Sequence, residues 1–76
     1  MNAEIEKKIG ENIRTLRMKI NMTQEVLSAK LQIEGCDLTR SALAKIEVGQ
    51  RHIYPDELIA LKKILAVDYD ELLKTE

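Results

Sequence analysis

The segment from Thr23 to Arg51 constrains this chain most, because it contains two short helical patterns in close succession. The first, T-Q-E-V-L-S-A-K-L-Q, begins at Thr23, and the second, T-R-S-A-L-A-K-I-E, begins at Thr39. Threonine is a favoured N-cap residue, and apolar residues recur in each pattern at helical spacing. Gly35 interrupts the chain between the two, and Gly49 follows the second as a C-terminal glycine. The segment therefore predicts two short amphipathic helices joined by a turn.

Helical patterns also fill the rest of the chain. An apolar stripe predicts a first helix from about residue 4 to 20, which Asn21 can end in a left-handed turn. The stripe consists of Ile5, Ile9, Ile13, Leu16 and Ile20. Pro55 suits the first position of a fourth helix, and Asp68 with Glu71 suits the capping of a short fifth one. Because 76 residues provide one small core, we predict an all-α fold of five helices in a single domain, residues 1–76.

The composition narrows the range of functions. One cysteine, Cys36, and one histidine, His52, provide neither a disulfide framework nor a zinc site, and no catalytic group or glycine-rich phosphate loop accompanies them. We therefore expect no enzymatic activity, no cofactor and no metal. Cys36 is expected to be a buried or idle thiol, with a redox switch or an intermolecular crosslink as the alternatives. No apolar run approaches the roughly 20 residues of a membrane span, and the N-terminus is too charged for a signal peptide, so a cytoplasmic protein without membrane contact is expected.

The second helix of the Thr23–Arg51 segment has a polar outward face. Leu43 and Ile46 are spaced to face the core, and the opposite face presents Arg40, Ser41 and Lys45. Two helices joined by a turn, the second with hydrogen-bonding side chains, form the arrangement that a helix-turn-helix inserts into the DNA major groove. The pattern thus predicts double-stranded DNA as the partner.

The charge distribution leaves the partner undecided. The formal net charge is −1, whereas nucleic-acid modules are often strongly basic. Residues 1–52 nevertheless carry nine Lys and Arg against seven Asp and Glu, while residues 53–76 carry three against six. The basic surplus therefore lies in the part of the chain that is predicted to face DNA.

Four segments together resemble the phage repressor/Cro (XRE) family of helix-turn-helix regulators. They are I-G-E-N-I-R-T-L-R, M-T-Q-E-V-L-S-A-K-L, T-R-S-A-L-A-K-I-E-V-G-Q-R and L-K-K-I-L-A-V-D-Y-D-E-L-L, which cover the chain from about Ile9 to Leu73. The most specific parts are Thr23-Gln24 and the exit Ile46-Glu47-x-Gly49-x-Arg51. The resemblance implies a DNA-binding transcriptional regulator, expected to be a repressor, that acts as a homodimer with its third helix, about residues 39–47, in the major groove.

The resemblance also implies roles for individual residues. Base contacts are expected from Arg40, Ser41 and Lys45, and Ala44 could contact a thymine methyl group. Gln24 is expected at a phosphate through its backbone N–H, while its amide is expected to brace a DNA-contacting residue or to contact a base. The DNA-binding residues implied in this way are Gln24, Arg40, Ser41, Ala44, Lys45 and Arg51. For each, a solvated helix face or an ordinary surface loop is the alternative.

Two further residues are implied to be structural. In the family, an arginine late in the first helix pairs with the glutamate at the end of the third, which corresponds here to Arg17 and Glu47. Such a pair would fix the orientation of the third helix more than it would add stability. Arg51, in the loop after the third helix, is expected instead to meet the phosphate backbone.

The chain departs from the family pattern after the second helix. Gln32 stands where the family has a glycine, and residues 33–37 are interpreted as an extra loop. We expect dimerisation through the C-terminal helices, whose apolar residues are Leu65, Val67, Tyr69, Leu72 and Leu73. The alternative function is a protein-interaction module of the same fold, an adaptor or antitoxin-like partner, with weak or no DNA binding.

Overall fold

A computed structural model describes residues 2–76, and these residues form five helices and no strand. In chain order they are α1 (Ala3–Lys19), α2 (Gln24–Ile33), α3 (Arg40–Glu47), α4 (Pro55–Leu65) and α5 (Tyr69–Leu73). The predicted all-α, five-helix architecture is confirmed. None of the helices in residues 2–76 has both the length and the apolar character that a membrane crossing requires.

Side-chain caps begin the helices at the predicted positions. The side-chain oxygens of Thr23 and Thr39 accept hydrogen bonds from the backbone three residues later, each at 3.1 Å. Asp68 accepts from the backbone N–H of Glu71 at 2.8 Å. Each bond satisfies a backbone donor that the first helical turn leaves unpaired. α1 ends where expected, because Asn21 has the left-handed φ of 55°.

One hydrophobic core holds the helices together. Its fully buried side chains come from all five helices and from the turn before α3: Ile13, Leu27, Leu31, Leu38, Leu43, Ile46, Leu61 and Leu72. α1 packs closely on α3 at Gly10, where an added Cβ would overlap the carbonyl oxygen of Ile46. The glycine therefore sets the separation between α1 and the helix that is expected to enter DNA.

The region after α2 differs from the predicted loop. Ile33 belongs to the last turn of α2, so the extra residues partly lengthen the helix instead of forming a loop over residues 33–37. The turn follows from Gly35, whose φ of 83° disfavours residues with a side chain. Leu38 is fully buried and Cys36 nearly so, and both belong to the core cluster. The inserted segment is held at its C-terminal end, where Cys36 and the following Leu38 pack inward, whereas Ile33 is exposed.

The C-terminal helices expose less apolar surface than expected. Leu65 and Leu72, predicted as part of a dimer surface, are buried in the core of the single chain. Asn12 of α1 holds the end of α5 by donating to the carbonyl oxygens of Leu72 and Lys74, at 3.0 and 2.7 Å. The prediction was wrong for the two leucines because both pack into the core of the single chain, Leu65 from α4 and Leu72 where α5 packs on α1.

Candidate DNA-binding surface

α3 presents a polar face to solvent and an apolar face to the core. Leu43 and Ile46 are fully buried, whereas Arg40, Ser41 and Lys45 are exposed. The helix begins at Arg40 after the Thr39 cap, so Arg40 and Ser41 lie in its first turn and Lys45 one turn later. The structure therefore brings these three side chains to one outward face. Ala44, expected to point outward, is half-buried.

A buried ion pair fixes the end of α3 to α1. The Nε and Nη2 atoms of Arg17 donate to the two carboxylate oxygens of Glu47 at 2.8 and 2.9 Å. Arg17 is 8% exposed and Glu47 is 3% exposed. A third donor, Nη1, reaches the carbonyl oxygen of Met22 at 2.8 Å. The hydrogen bonds from Arg17 to Glu47 raise the pKa of the guanidinium further above its ordinary value, and each of its three nitrogen atoms donates a hydrogen bond within the chain.

Gln24 joins this ion pair. Its side-chain amide donates to Glu47 at 3.0 Å, and the side chain is half-buried at the first position of α2. The carboxylate of Glu47 thereby contacts α1, α2 and α3 at once. The amide of Gln24 therefore joins the first turn of α2 to the end of α3.

Arg51, which was predicted to meet the phosphate backbone, forms an ion pair within the chain. Its Nη1 and Nη2 atoms donate to the two carboxylate oxygens of Glu57 at 2.9 and 3.1 Å, and Nη1 also donates to the carbonyl oxygen of His52. The guanidinium lies over the ring of Tyr54, 5.6 Å from its centroid. These bonds to Glu57 raise the pKa of Arg51. Arg51 therefore stabilises the turn between α3 and α4 from within the chain.

Two carboxylates in this region were missed by the sequence interpretation. Glu57 is buried and accepts the backbone N–H of Tyr54 as well as Arg51. Its position three residues after the N-cap of α4 is the signal that could have identified it. Glu6 of α1 contacts Nδ1 of His52 at 2.9 Å; no local spacing indicates this contact, because 46 residues separate the two in the chain.

Two helices joined by a turn, with a fixed and outward-facing polar helix as the second, define a helix-turn-helix protein. The family model described as helix-turn-helix matches residues 13–72, and the chain belongs to this family in its phage repressor/Cro (XRE) form. It is a DNA-binding regulator, and the family is not one of enzymes.

Two known proteins show how far the similarity extends. Control protein C.BamHI of Bacillus amyloliquefaciens is 38% identical over 65 residues, which are 84% of this chain and 74% of that protein. The crystal structure of the DNA-binding domain of BldD superposes with a TM-score of 0.79 at 20% identity, covering 96% of this chain and 99% of that one. At this level of identity, the similarity to the BldD domain establishes the fold alone.

Proposed function

We propose that this protein binds a specific double-stranded DNA site through α3 and represses transcription there as a homodimer. The observation that carries the proposal is the exposed face of Arg40, Ser41 and Lys45 on a helix that cannot rotate. Leu43 and Ile46 hold its other face in the core, and Glu47 attaches its last turn to α1. A fixed recognition helix presents the same donors to the same base edges in every encounter, which sequence-specific binding needs.

Individual roles follow from position on this face. Arg40 and Lys45 are proposed to contact guanine O6 and N7, Ser41 a less selective base edge, and Ala44 a thymine methyl group. Gln24, braced by Glu47, is proposed to lie at a backbone phosphate beside the N-terminus of α2. Phosphate contacts fix the register of the protein on the duplex, while the α3 contacts supply the sequence preference.

The direct test of the DNA site is a substitution of one base-contacting residue. After a preferred sequence has been selected from a random DNA pool, Arg40→Ala should lose about 1–3 kcal/mol on that sequence and relax selection at one position. Lys30→Ala is the matched control, because Lys30 is an exposed cation of α2 outside this face. Equal losses for Arg40→Ala on preferred and scrambled duplexes would remove Arg40 as a base contact. No binding by the wild type at low salt would favour the protein-interaction module.

The homodimer is proposed to form through the part of α5 that remains exposed. Tyr69 and Leu73 are 41% and 38% exposed, and Val67 beside them is half-buried. A helix-turn-helix dimer contacts two half-sites about 34–36 Å apart, or a multiple of that spacing. Leu73→Glu should therefore shift sedimentation toward the monomer and lower the affinity for a two-half-site duplex to that for a single half-site, which should be unchanged.

A second exposed apolar residue provides the control for this interface. Ile33, at the end of α2, is 83% exposed and lies beside the ion pair of Glu34 and Lys63. Ile33→Glu introduces the same charge on a different surface and should leave sedimentation unchanged. If Ile33→Glu dissociates the dimer and Leu73→Glu does not, the interface lies at the α2 end instead.

Repression, as opposed to activation, is supported by the resemblance to the phage repressors and by a relative described as a control protein. A reporter gene with the selected site overlapping its promoter tests this point. Co-expression of the protein should lower reporter output, and a rise in output would contradict the repressor role.

A further inference from the structure

The outer surface of α1 forms one wall of an open groove with a volume of about 780 Å³. The opposite wall comes from the first residue of α2 and the end of α3. Its lining residues are Lys7, Glu11, Arg14, Thr15, Gln24, Glu47 and Val48. The groove therefore adjoins both helices of the helix-turn-helix, and its lining includes none of Arg40, Ser41 and Lys45.

The two acidic groups of this groove form their ion pairs with cations other than Lys7 and Arg14. Glu47 is bound by Arg17 in the buried pair. Glu11 lies 3.7 Å from Lys8, one turn back on the same helix, and both side chains of that pair are exposed. In residues 2–76, neither carboxylate is therefore paired with the two cations that line the groove, and Glu11 remains an exposed negative charge beside them.

Lys7 and Arg14 are exposed, and within residues 2–76 neither forms an ion pair. They are seven residues apart, so they lie on the same side of α1 about 10.5 Å from each other along the helix axis. Two uncompensated cations on one wall of a groove attract anions, and the neighbouring Gln24 sits at the positive end of the α2 dipole.

Two other arginines of the helix-turn-helix region form ion pairs within the chain. Arg17 uses three donor atoms within the chain, and Arg51 is held by Glu57. A chain with a net charge of −1 still has to neutralise phosphates to approach DNA. The cations of the groove are placed to do so next to α2.

We propose that Lys7 and Arg14 bind the DNA backbone through this groove, as a phosphate-binding site on α1 separate from the base contacts of α3. The inference rests on the proposed DNA-binding function and adds a surface to it. The site contributes affinity without sequence preference, because phosphates are the same at every base pair. Glu11, on the same wall, opposes the phosphate and limits the affinity.

The experiment measures DNA affinity against salt concentration for the wild type, Arg14→Ala and Lys7→Ala, on the selected duplex and on a scrambled one. Each contact that is removed should lower the magnitude of the salt slope by about 0.9 on both duplexes. Raising the salt concentration from 50 to 200 mM lowers the affinity of the wild type by a certain factor. For each variant, that factor should be about 3.5 times smaller. Lys30→Ala, which removes the same charge at the far end of α2, should keep the wild-type slope.

A gain of affinity complements these losses. Glu11→Gln removes the groove's exposed negative charge, and it should raise affinity on both duplexes at low salt, an effect that misfolding cannot produce. An unchanged slope for Arg14→Ala, an equal change for Lys30→Ala, or no gain for Glu11→Gln would each overturn the phosphate site while leaving DNA binding by α3 intact. Failure of the proposed function is a different result, in which the wild type binds neither duplex at any salt concentration.

Discussion

Removal of Arg17 tests whether the buried ion pair holds the recognition helix. Arg17→Ala leaves the carboxylate of Glu47, 3% exposed, with Gln24 as its remaining side-chain partner. Breaking a buried pair by removing one member costs about 3–5 kcal/mol, because the other charge remains buried without compensation. A domain of this length has a free energy of unfolding of about 4–11 kcal/mol. The substitution should therefore remove a large share of the stability.

Thermal and urea unfolding followed by circular dichroism measure this loss. A domain of 60–100 residues loses about 4–8 °C of melting temperature per kcal/mol, so Arg17→Ala should melt at least about 12 °C below the wild type. DNA affinity should fall with it, since the last turn of α3 loses its attachment to α1. Arg14→Ala is the matched control: it removes an exposed arginine from the same helix and should change stability by no more than about 0.5 kcal/mol.

The double variant separates stability from orientation. Arg17→Met with Glu47→Leu replaces the buried charges by apolar groups, a change that is often neutral or stabilising when both partners are exchanged. It also removes the hydrogen bonds to Met22 and Gln24, each worth about 1 kcal/mol. We expect the double variant to regain most of the lost stability and little of the DNA affinity. An Arg17→Ala protein that melts within about 2 °C of the wild type would refute the reasoning.

Three other substitutions or modifications test single contacts. Gly10→Ala should lower the free energy of unfolding in urea by about 1–3 kcal/mol, because the new methyl group would overlap the backbone of Ile46. Alanine is the better helix former, so a more stable variant would contradict the close packing of α1 on α3. Arg51→Ala should lower stability by about 1–3 kcal/mol by leaving Glu57 buried without its cation; unchanged stability with a salt slope reduced by about one would instead make Arg51 a phosphate contact. Burial, followed by the carboxylate of Glu57, raises the pKa of the Cys36 thiol, so iodoacetamide at pH 8 should alkylate the folded protein far more slowly than the urea-unfolded one. Equal alkylation rates would show that the thiol is accessible in the folded protein. Because the folded protein keeps the thiol proton to higher pH than the unfolded chain does, the free energy of unfolding should decline as pH rises from the unfolded pKa through the raised folded pKa.

Local sequence determined the helices and their ends. Thr23, Thr39 and Asp68 cap helices where predicted, because an N-cap bond joins residues only three positions apart. The inward direction of Leu43 and Ile46, and hence the outward face of α3, follows from helical periodicity in the same way. Family membership was also evident from the motifs, and the match over residues 13–72 confirmed it.

Only the tertiary structure decided which charged groups are free to meet a ligand. The sequence does not distinguish the surroundings of Arg51 from those of Arg14. In the structure, Arg51 is bound by Glu57, whereas Arg14 lines an open groove. The ion pair between Arg51 and Glu57 and the contact between His52 and Glu6 could not be predicted from the sequence, since both depend on how separate segments pack. Spacing along the chain specifies contacts within about one helical turn, whereas the pairing of distant charges is set by how the helices pack against one another.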